Sequence, residues 1–227
     1  MTQPAHVVVF DVNETLSDMS VMGGHFSDIG APSHLAQTWF AGVLRDGFAL
    51  TAAGTTEPFA ALATNHLRAL LRDQPLDRPL DSAVEHLMDA LLGLDVHPDV
   101  PAGVRDLAAR GLRLVTLSNG SAQVADRLLE RAGIRSQFEK LLSVEQAGLW
   151  KPARRAYEYA AGECGVDVSR LLLVAVHPWD IDGAARAGAS TAWINRSGGV
   201  YPDHFTAPTH EVAALDELGA LLVEEGR

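Results

Sequence analysis

The sequence holds one cysteine, Cys164, among 227 residues, so no intrachain disulfide can form. The "GECG" around it offers no base to activate a thiolate, and packing suits this thiol better than redox chemistry. There is no apolar run near the roughly 20 residues a membrane span needs. The opening "MTQPAHVVVF" has no basic stretch followed by a long apolar one and a cleavage site. The expectation is a cytoplasmic protein that does not contact membranes. Cations are scarce as well: 18 Lys and Arg against 29 Asp and Glu leave a formal charge of -11. With no Lys/Arg-rich run, nucleic acid and anionic membrane are excluded as expected partners. Any anionic ligand must be held by a few local cations. What is present is the composition of a globular chain, 47% hydrophobic and 21% charged, able to bury a sizeable core.

Four short apolar runs read as buried strands: "HVVVF" (6–10), "LRLVTLS" (112–118), "LLLVAV" (171–176) and "STAWI" (190–194). Between them lie helical patterns. "VPAGVRDLAARG" stops at Gly111, "SAQVADRLLERAG" starts at the Ser121 N-cap and stops at Gly133, and "DIDGAARAG" closes at Gly188. Strand and helix in alternation predict a parallel sheet covered on both faces. Residues 17–96 break this pattern with three helix-like stretches, at 33–54, 57–74 and 81–93, and no convincing strand. The economical organisation is an α/β, Rossmann-like core of residues 1–16 and 97–227 with a helical domain, 17–96, inserted after the first strand. "VHPDVP" at 96–101 suits the return linker, and "MGGHF" at 22–26 is either a glycine hinge or a plain loop.

The stretch "VVVFDVNETL" runs from a buried strand straight into Asp11. In open parallel sheets ligands bind beyond the carboxyl ends of the strands. Asp11 lies at such an end, as do Ser118 and Asn119, and Asp180 follows four residues after Val176. Lys151 precedes a proline placed to open a helix. A carboxylate held by an ammonium and hydroxyls stays ionised and can act as a nucleophile. Asp11 is the candidate nucleophile, with the Thr15 hydroxyl turned back to fix the loop or a carboxylate oxygen. Ser118 and Asn119 are candidate donors to substrate, leaving group or intermediate. Asp180 is placed to position or deprotonate the water that would cleave an ester of Asp11, because a nucleophile cannot serve as base for its own release. Trp39, Phe40, Phe48, Phe59 and Leu62 either wall an apolar pocket under the inserted helices or fill their core.

With these residues in order, "FDVNETL" (10–16), "VTLSNGS" (115–121), "WKPARRAY" (150–157) and "HPWDIDGA" (177–184), the chain resembles the haloacid dehalogenase superfamily and most closely its L-2-haloacid dehalogenase branch. The resemblance implies a Rossmann-like core with a helical cap after the first strand. It also implies Asp11, Thr15, Ser118, Asn119, Lys151 and Asp180 in the roles just given, with Val12, Tyr157 and Trp179 lining the pocket. Superfamily phosphatases carry an acid two residues after the nucleophile and a Gly-Asp-x-x-x-Asp magnesium motif. This chain has Asn13 at the first place and Ala175 and Val176 at the second. An amide supplies no proton and valine no oxygen ligand. Asp182 suits the first turn of a helix better than a metal. The implied reaction is therefore metal-free displacement at carbon on a small 2-haloalkanoate or another small electrophile such as a strained-ring amino acid, needing no cofactor. A magnesium-dependent phosphatase is the alternative.

Three positions depart from the branch, one in the inserted helices and two in the fourth motif. Phe40 stands where the carboxylate-clamping arginine is expected, and Arg45 is about one and a half turns further along the helix. Ala175 and His177 replace the usual Ser and Asn, and His177 is a candidate for water activation or substrate binding. The remaining histidines show no metal-ligand spacing, so no metal site is expected. Members of the branch commonly dimerise, which makes an apolar cap helix a candidate homodimer interface.

Overall fold

The computed structural model describes residues 7–225. Its centre is a six-stranded parallel sheet in the order β3-β2-β1-β4-β5-β6. The strands are β1 (Val7–Phe10), β2 (Arg113–Ser118), β3 (Phe138–Ser143), β4 (Leu171–Ala175), β5 (Ser190–Ile194) and β6 (His210–Val212). His6, included in the first expected strand, lies outside the described residues. Among the described residues ten α-helices accompany the sheet: α1 (Met22–Ser27), α2 (Leu35–Ala52), α3 (Phe59–Leu71), α4 (Leu80–Leu92), α5 (Val100–Ala109), α6 (Ala122–Arg131), α7 (Val144–Ala147), α8 (Arg154–Cys164), α9 (Pro178–Ala187) and α10 (Leu215–Glu225). Among the described residues no helix is long and apolar enough to cross a membrane.

The period of two in β1 divides the core. Val8 and Phe10 join Val104 and Leu107 of α5, Leu128 and Leu129 of α6, and Leu215 and Leu218 of α10 on one face. Val7 and Val9 join Ala156 and Ala160 of α8, Ile181 and Ala184 of α9, and the interior of the first four helices on the other. Buried on both faces, β1 and β4 are continuous apolar runs, as parallel central strands must be.

Helices α1 to α4 pack on one another. The chain leaves β1 and returns to α5 at neighbouring points. Ser17 bridges Val96, the Asp18 N–H donates to the Asp95 carbonyl at 2.8 Å, and the His97 N–H donates to the Leu16 carbonyl at 2.9 Å. "MGGHF" is neither a hinge nor a loop. It is the body of α1, whose Met22 and Phe26, one turn apart, are both buried. Tertiary burial outweighs the low helix propensity of its two glycines.

The expected stop signals end helices as their chemistry requires. Ser121 caps α6 by accepting from the Val124 N–H, and Gly133 after α6 and Gly188 after α9 take left-handed φ of +65° and +107°. Pro152, in contrast, does not open a helix directly: α8 begins at Arg154 after an extended Ala153.

Candidate active site

Asp11 follows the last residue of β1, with its backbone N–H tied to the Val174 carbonyl of β4 at 3.0 Å. Its carboxylate is buried and held on three sides. Lys151 Nζ donates to Oδ1 at 2.7 Å, Thr15 Oγ1 donates to Oδ2 at 2.6 Å, and His177 Nδ1 lies 3.3 Å from Oδ2. Burial by itself would raise the Asp11 carboxyl. The Lys151 charge, with the hydrogen bond and charge of His177, instead holds it far below the usual carboxylate range. Asp11 is therefore an anion at any physiological pH.

Lys151 has no exposed surface and bridges two carboxylates, reaching Asp180 Oδ2 at 2.6 Å. Burial disfavours its charge, but Asp11 and Asp180 together hold its ammonium above the ordinary lysine value. Burial also raises the Asp180 carboxyl. Tyr157 donates to Asp180 Oδ1 at 2.6 Å, and burial followed by the Asp180 charge pushes its phenol well up. Tyr157 thus orients Asp180, where the resemblance implied a pocket wall. Gly183 makes this contact possible, since a Cβ there would stand 2.6 Å from the Tyr157 hydroxyl and 2.5 Å from Pro152 Cβ.

The neighbouring loops complete the cluster. Thr15 both donates to Asp11 and accepts from the Val176 N–H at 3.1 Å, joining the two strand ends. Asn119 takes up the backbone of Lys151, accepting its N–H at 3.0 Å and donating to its carbonyl at 3.4 Å, so its amide positions the lysine and keeps a second N–H for a ligand. Ser118 Oγ accepts from the Gly120 N–H at 2.8 Å.

His177 occupies the other flank. Its Nε2 pairs with Glu14 Oε2 at 2.8 Å while Nδ1 faces Asp11. Burial would lower the imidazolium, but hydrogen bonds to Asp11 and Glu14 and their charges push it up to about 9. Glu14 was not among the residues singled out from the sequence. It is the one described non-glycine residue with positive φ, at 60°, and its carbonyl accepts from His97 Nε2 at 2.9 Å. A left-handed glutamate costs backbone energy and persists where neighbours fix it. Here the conformation sets its carboxylate against His177.

Aromatic rings cover this flank. The rings of Phe40 and Trp179 have centroids 6.2 and 5.0 Å from that of His177, and Phe48 meets Trp179 edge-on at 5.0 Å. Trp39 does not join them: its Nε1 donates to the Ala63 carbonyl and its ring packs on Phe26 inside the helical bundle. Arg45 is mostly exposed and pairs with Asp46.

A small apolar cavity of about 70 Å³ between the inserted helices and the sheet domain reaches the loops of this site. Val12, Asn13 and Ser118 line it, facing Met88, Leu91 and Leu128. Asp11, Lys151 and His177 are not among its lining residues. Elsewhere the fold brings His25, Asp28 and His86 together, a grouping that nothing in their spacing signalled.

The comparisons with known proteins agree with this chemistry. A family model described as haloacid dehalogenase-like hydrolase matches residues 5–188. An (S)-2-haloacid dehalogenase from Pseudomonas sp. (strain YL) is 34% identical, over 92% of this chain and 90% of that protein. Haloacetate dehalogenase H-2 from Moraxella sp. (strain B) is 32% identical, over 72% of this chain and 73% of that protein. A crystal structure of a dehalogenase with an intermediate complex superposes with a TM-score of 0.90 at 26% identity, covering 97% of this chain and 98% of that one. The L-2-haloacid dehalogenase from Xanthobacter autotrophicus with chloropropionic acid covalently bound shares the fold, with a TM-score of 0.85 at 22% identity over 96% of this chain and 98% of its own. The chain belongs to the haloacid dehalogenase-like hydrolases, in the branch of the (S)-2-haloacid dehalogenases.

Proposed function

We propose that this protein hydrolyses the carbon–halogen bond of a small 2-haloalkanoate through an ester of Asp11, with residues 17–96 acting as the cap over the reacting centre. The observation that carries the reading is the pairing of a buried, permanently ionised Asp11 with a fully buried Lys151 at 2.7 Å. Asn13 and Val176 provide neither the proton donor nor the oxygen ligand that phosphoryl transfer in this superfamily uses. Relatives named for haloacids and haloacetate support the same class of substrate.

Oδ2 is fixed by two donors and Oδ1 by one, which leaves Oδ1 the freer oxygen for attack. In the first step an Asp11 oxygen bonds to C2 from the side opposite the halogen, and halide departs with the bonding pair. In the second, water adds to the Asp11 acyl carbon, the acyl–oxygen bond breaks, and the 2-hydroxy acid leaves with a proton. Net consumption is one water, and the products are hydroxy acid, halide and one proton. Asp180, with both oxygens occupied by Lys151 and Tyr157, positions the lysine. His177 is the base for the water. Esterification removes the Asp11 charge that helps keep His177 protonated, so the imidazolium releases its Nδ1 proton to solvent and the neutral ring then accepts one from the attacking water. Before that step its imidazolium supplies positive charge near the nucleophile, where Phe40 supplies none. The same reading places the protein in the cytoplasm, with α-helices of the cap as the face for a homodimer.

The test is halide release from chloro-, bromo- and fluoroacetate and both enantiomers of 2-chloropropionate, with and without EDTA, beside a phosphomonoester with Mg²⁺. EDTA-resistant halide release that disappears in Asp11→Asn is expected. Phosphate release that requires Mg²⁺, with no halide release, would overturn the reading.

A further inference from the structure

We propose that His25, Asp28 and His86 form a zinc site that ties α1 to α4 within the inserted helices. His25 lies in α1, Asp28 directly follows it, and His86 lies in α4. His25 Nδ1 stands 3.6 Å and His86 Nε2 3.9 Å from the same oxygen, Asp28 Oδ2. All three candidate ligand atoms fall within 4.8 Å of one another.

The state of the two nitrogens sets this group apart from an ordinary surface cluster. Each imidazole is about a third exposed, at 35% and 32%, yet His25 Nδ1 and His86 Nε2 themselves are withdrawn from solvent and have no hydrogen-bond partner. Buried polar atoms are nearly always satisfied. Neither nitrogen is close enough to Asp28 for a hydrogen bond, and the two rings meet edge-on at 5.6 Å, which leaves both nitrogens facing the carboxylate across a gap. A single cation would satisfy both.

Two imidazoles and one carboxylate form a set that zinc accepts, with water as fourth ligand. Zinc bonds of about 2.0–2.2 Å put tetrahedral ligand atoms roughly 3.3–3.6 Å apart, so small side-chain rotations close these distances onto an ion. The exposed Asp28 carboxylate gives the ion a way in. The other charged groups at the site are compatible. Arg78 donates to the Asp28 backbone carbonyl, but its guanidinium is paired with Asp77, whose charge also faces His86. The site shares no residue with the Asp11 cluster, so its fate does not depend on the reaction proposed there.

Zinc titration of the full-length chain by calorimetry, with Co²⁺ absorbance as a second probe, tests the site. One equivalent per chain is expected, together with a thermal midpoint that rises with Zn²⁺ and falls back with EDTA. Asp28→Asn, at an exposed position that leaves the fold intact, and His86→Gln should each weaken binding about tenfold or more. Circular dichroism checks that both variants are folded, and His204→Gln, at a histidine outside the cluster, should bind as the parent does. Absence of zinc binding to the parent chain, or equal binding by Asp28→Asn and His86→Gln, would overturn the proposal. A thermal midpoint unmoved by Zn²⁺ would also overturn it.

Discussion

On one flank of Asp11 stands Lys151, without exposed surface, between two carboxylates and clamped through its backbone by Asn119. On the other stands His177, at the edge of an aromatic cluster and backed by the half-exposed Glu14. The first flank keeps every residue that the family resemblance implies. The second is where the chain departs from its branch, at Phe40, Ala175 and His177. Generation of the nucleophile needs a fixed countercharge and tolerates little change, whereas the surface around substrate and water can be rebuilt around a different titrating group. The lysine flank is locked in one charge state, while the histidine flank is poised to change its own.

Removing Lys151 should have the largest effect. Lys151→Met removes the ammonium between the buried Asp11 and Asp180 and leaves only His177, on the Asp11 side, as a countercharge; loss of one partner from such a cluster costs about 3–5 kcal/mol. Urea denaturation should show that loss, and halide release should fall by about 10³-fold or more. A variant of unchanged stability would mean that the two carboxylates do not rely on the lysine.

A smaller and different effect is expected from His177→Asn. If His177 accepts the proton of the hydrolytic water, this variant should form the Asp11 ester at a near-normal rate and hydrolyse it about 10²-fold more slowly. Intact-protein mass spectrometry would then find the adduct accumulating. The stability of the parent chain should also depend on His177. Its imidazolium is raised from 6.5 to about 9, so the pairing with Asp11 and Glu14 stabilises the fold fully below pH 6.5 and is lost as pH climbs through 9. That contribution is about 3 kcal/mol. His177→Asn should flatten this dependence, and Glu14→Gln should move the transition to lower pH. Arg45→Ala, at an exposed side chain paired only with Asp46, should change stability by less than about 0.5 kcal/mol and leave kcat/KM unaltered. A large rise in KM there would show that the arginine reaches the substrate after all.

The sheet's interior was legible because β1, β2, β4 and β5 are apolar runs bounded by turn residues. The edges were not. In β3, "FEKLLS" mixes Glu139 and Lys140 into an outer strand that needs only part of its surface buried, and β6 is three residues long. Helix α1 was hidden by Gly23 and Gly24, since its stability comes from burying Met22 and Phe26 and not from local propensity. Within the site, Asp11 and Asp180 were visible beyond the ends of apolar runs, Thr15 by its place four residues after Asp11, and Lys151 by the proline that follows it. Glu14 was not, because its part depends on a left-handed backbone that an ordinary glutamate does not announce. The intramolecular partners of Asn119 and Tyr157 were not legible: which atom an amide or phenol meets is decided by packing between distant segments. The same holds for Trp39, whose indole turns inward to Ala63, and for His25 and His86, which meet only through the fold of the inserted helices.

The proposed reaction requires that Asp11 becomes esterified and is released by water attacking its own carbonyl. A single turnover of a reactive 2-haloacid in H₂¹⁸O, followed by mass spectrometry of the peptide carrying Asp11, tests it directly. ¹⁸O is expected in the Asp11 carboxylate and unlabelled oxygen in the first hydroxy acid formed. Label in the hydroxy acid with none in Asp11 would mean that water attacks the substrate directly, and would contradict it.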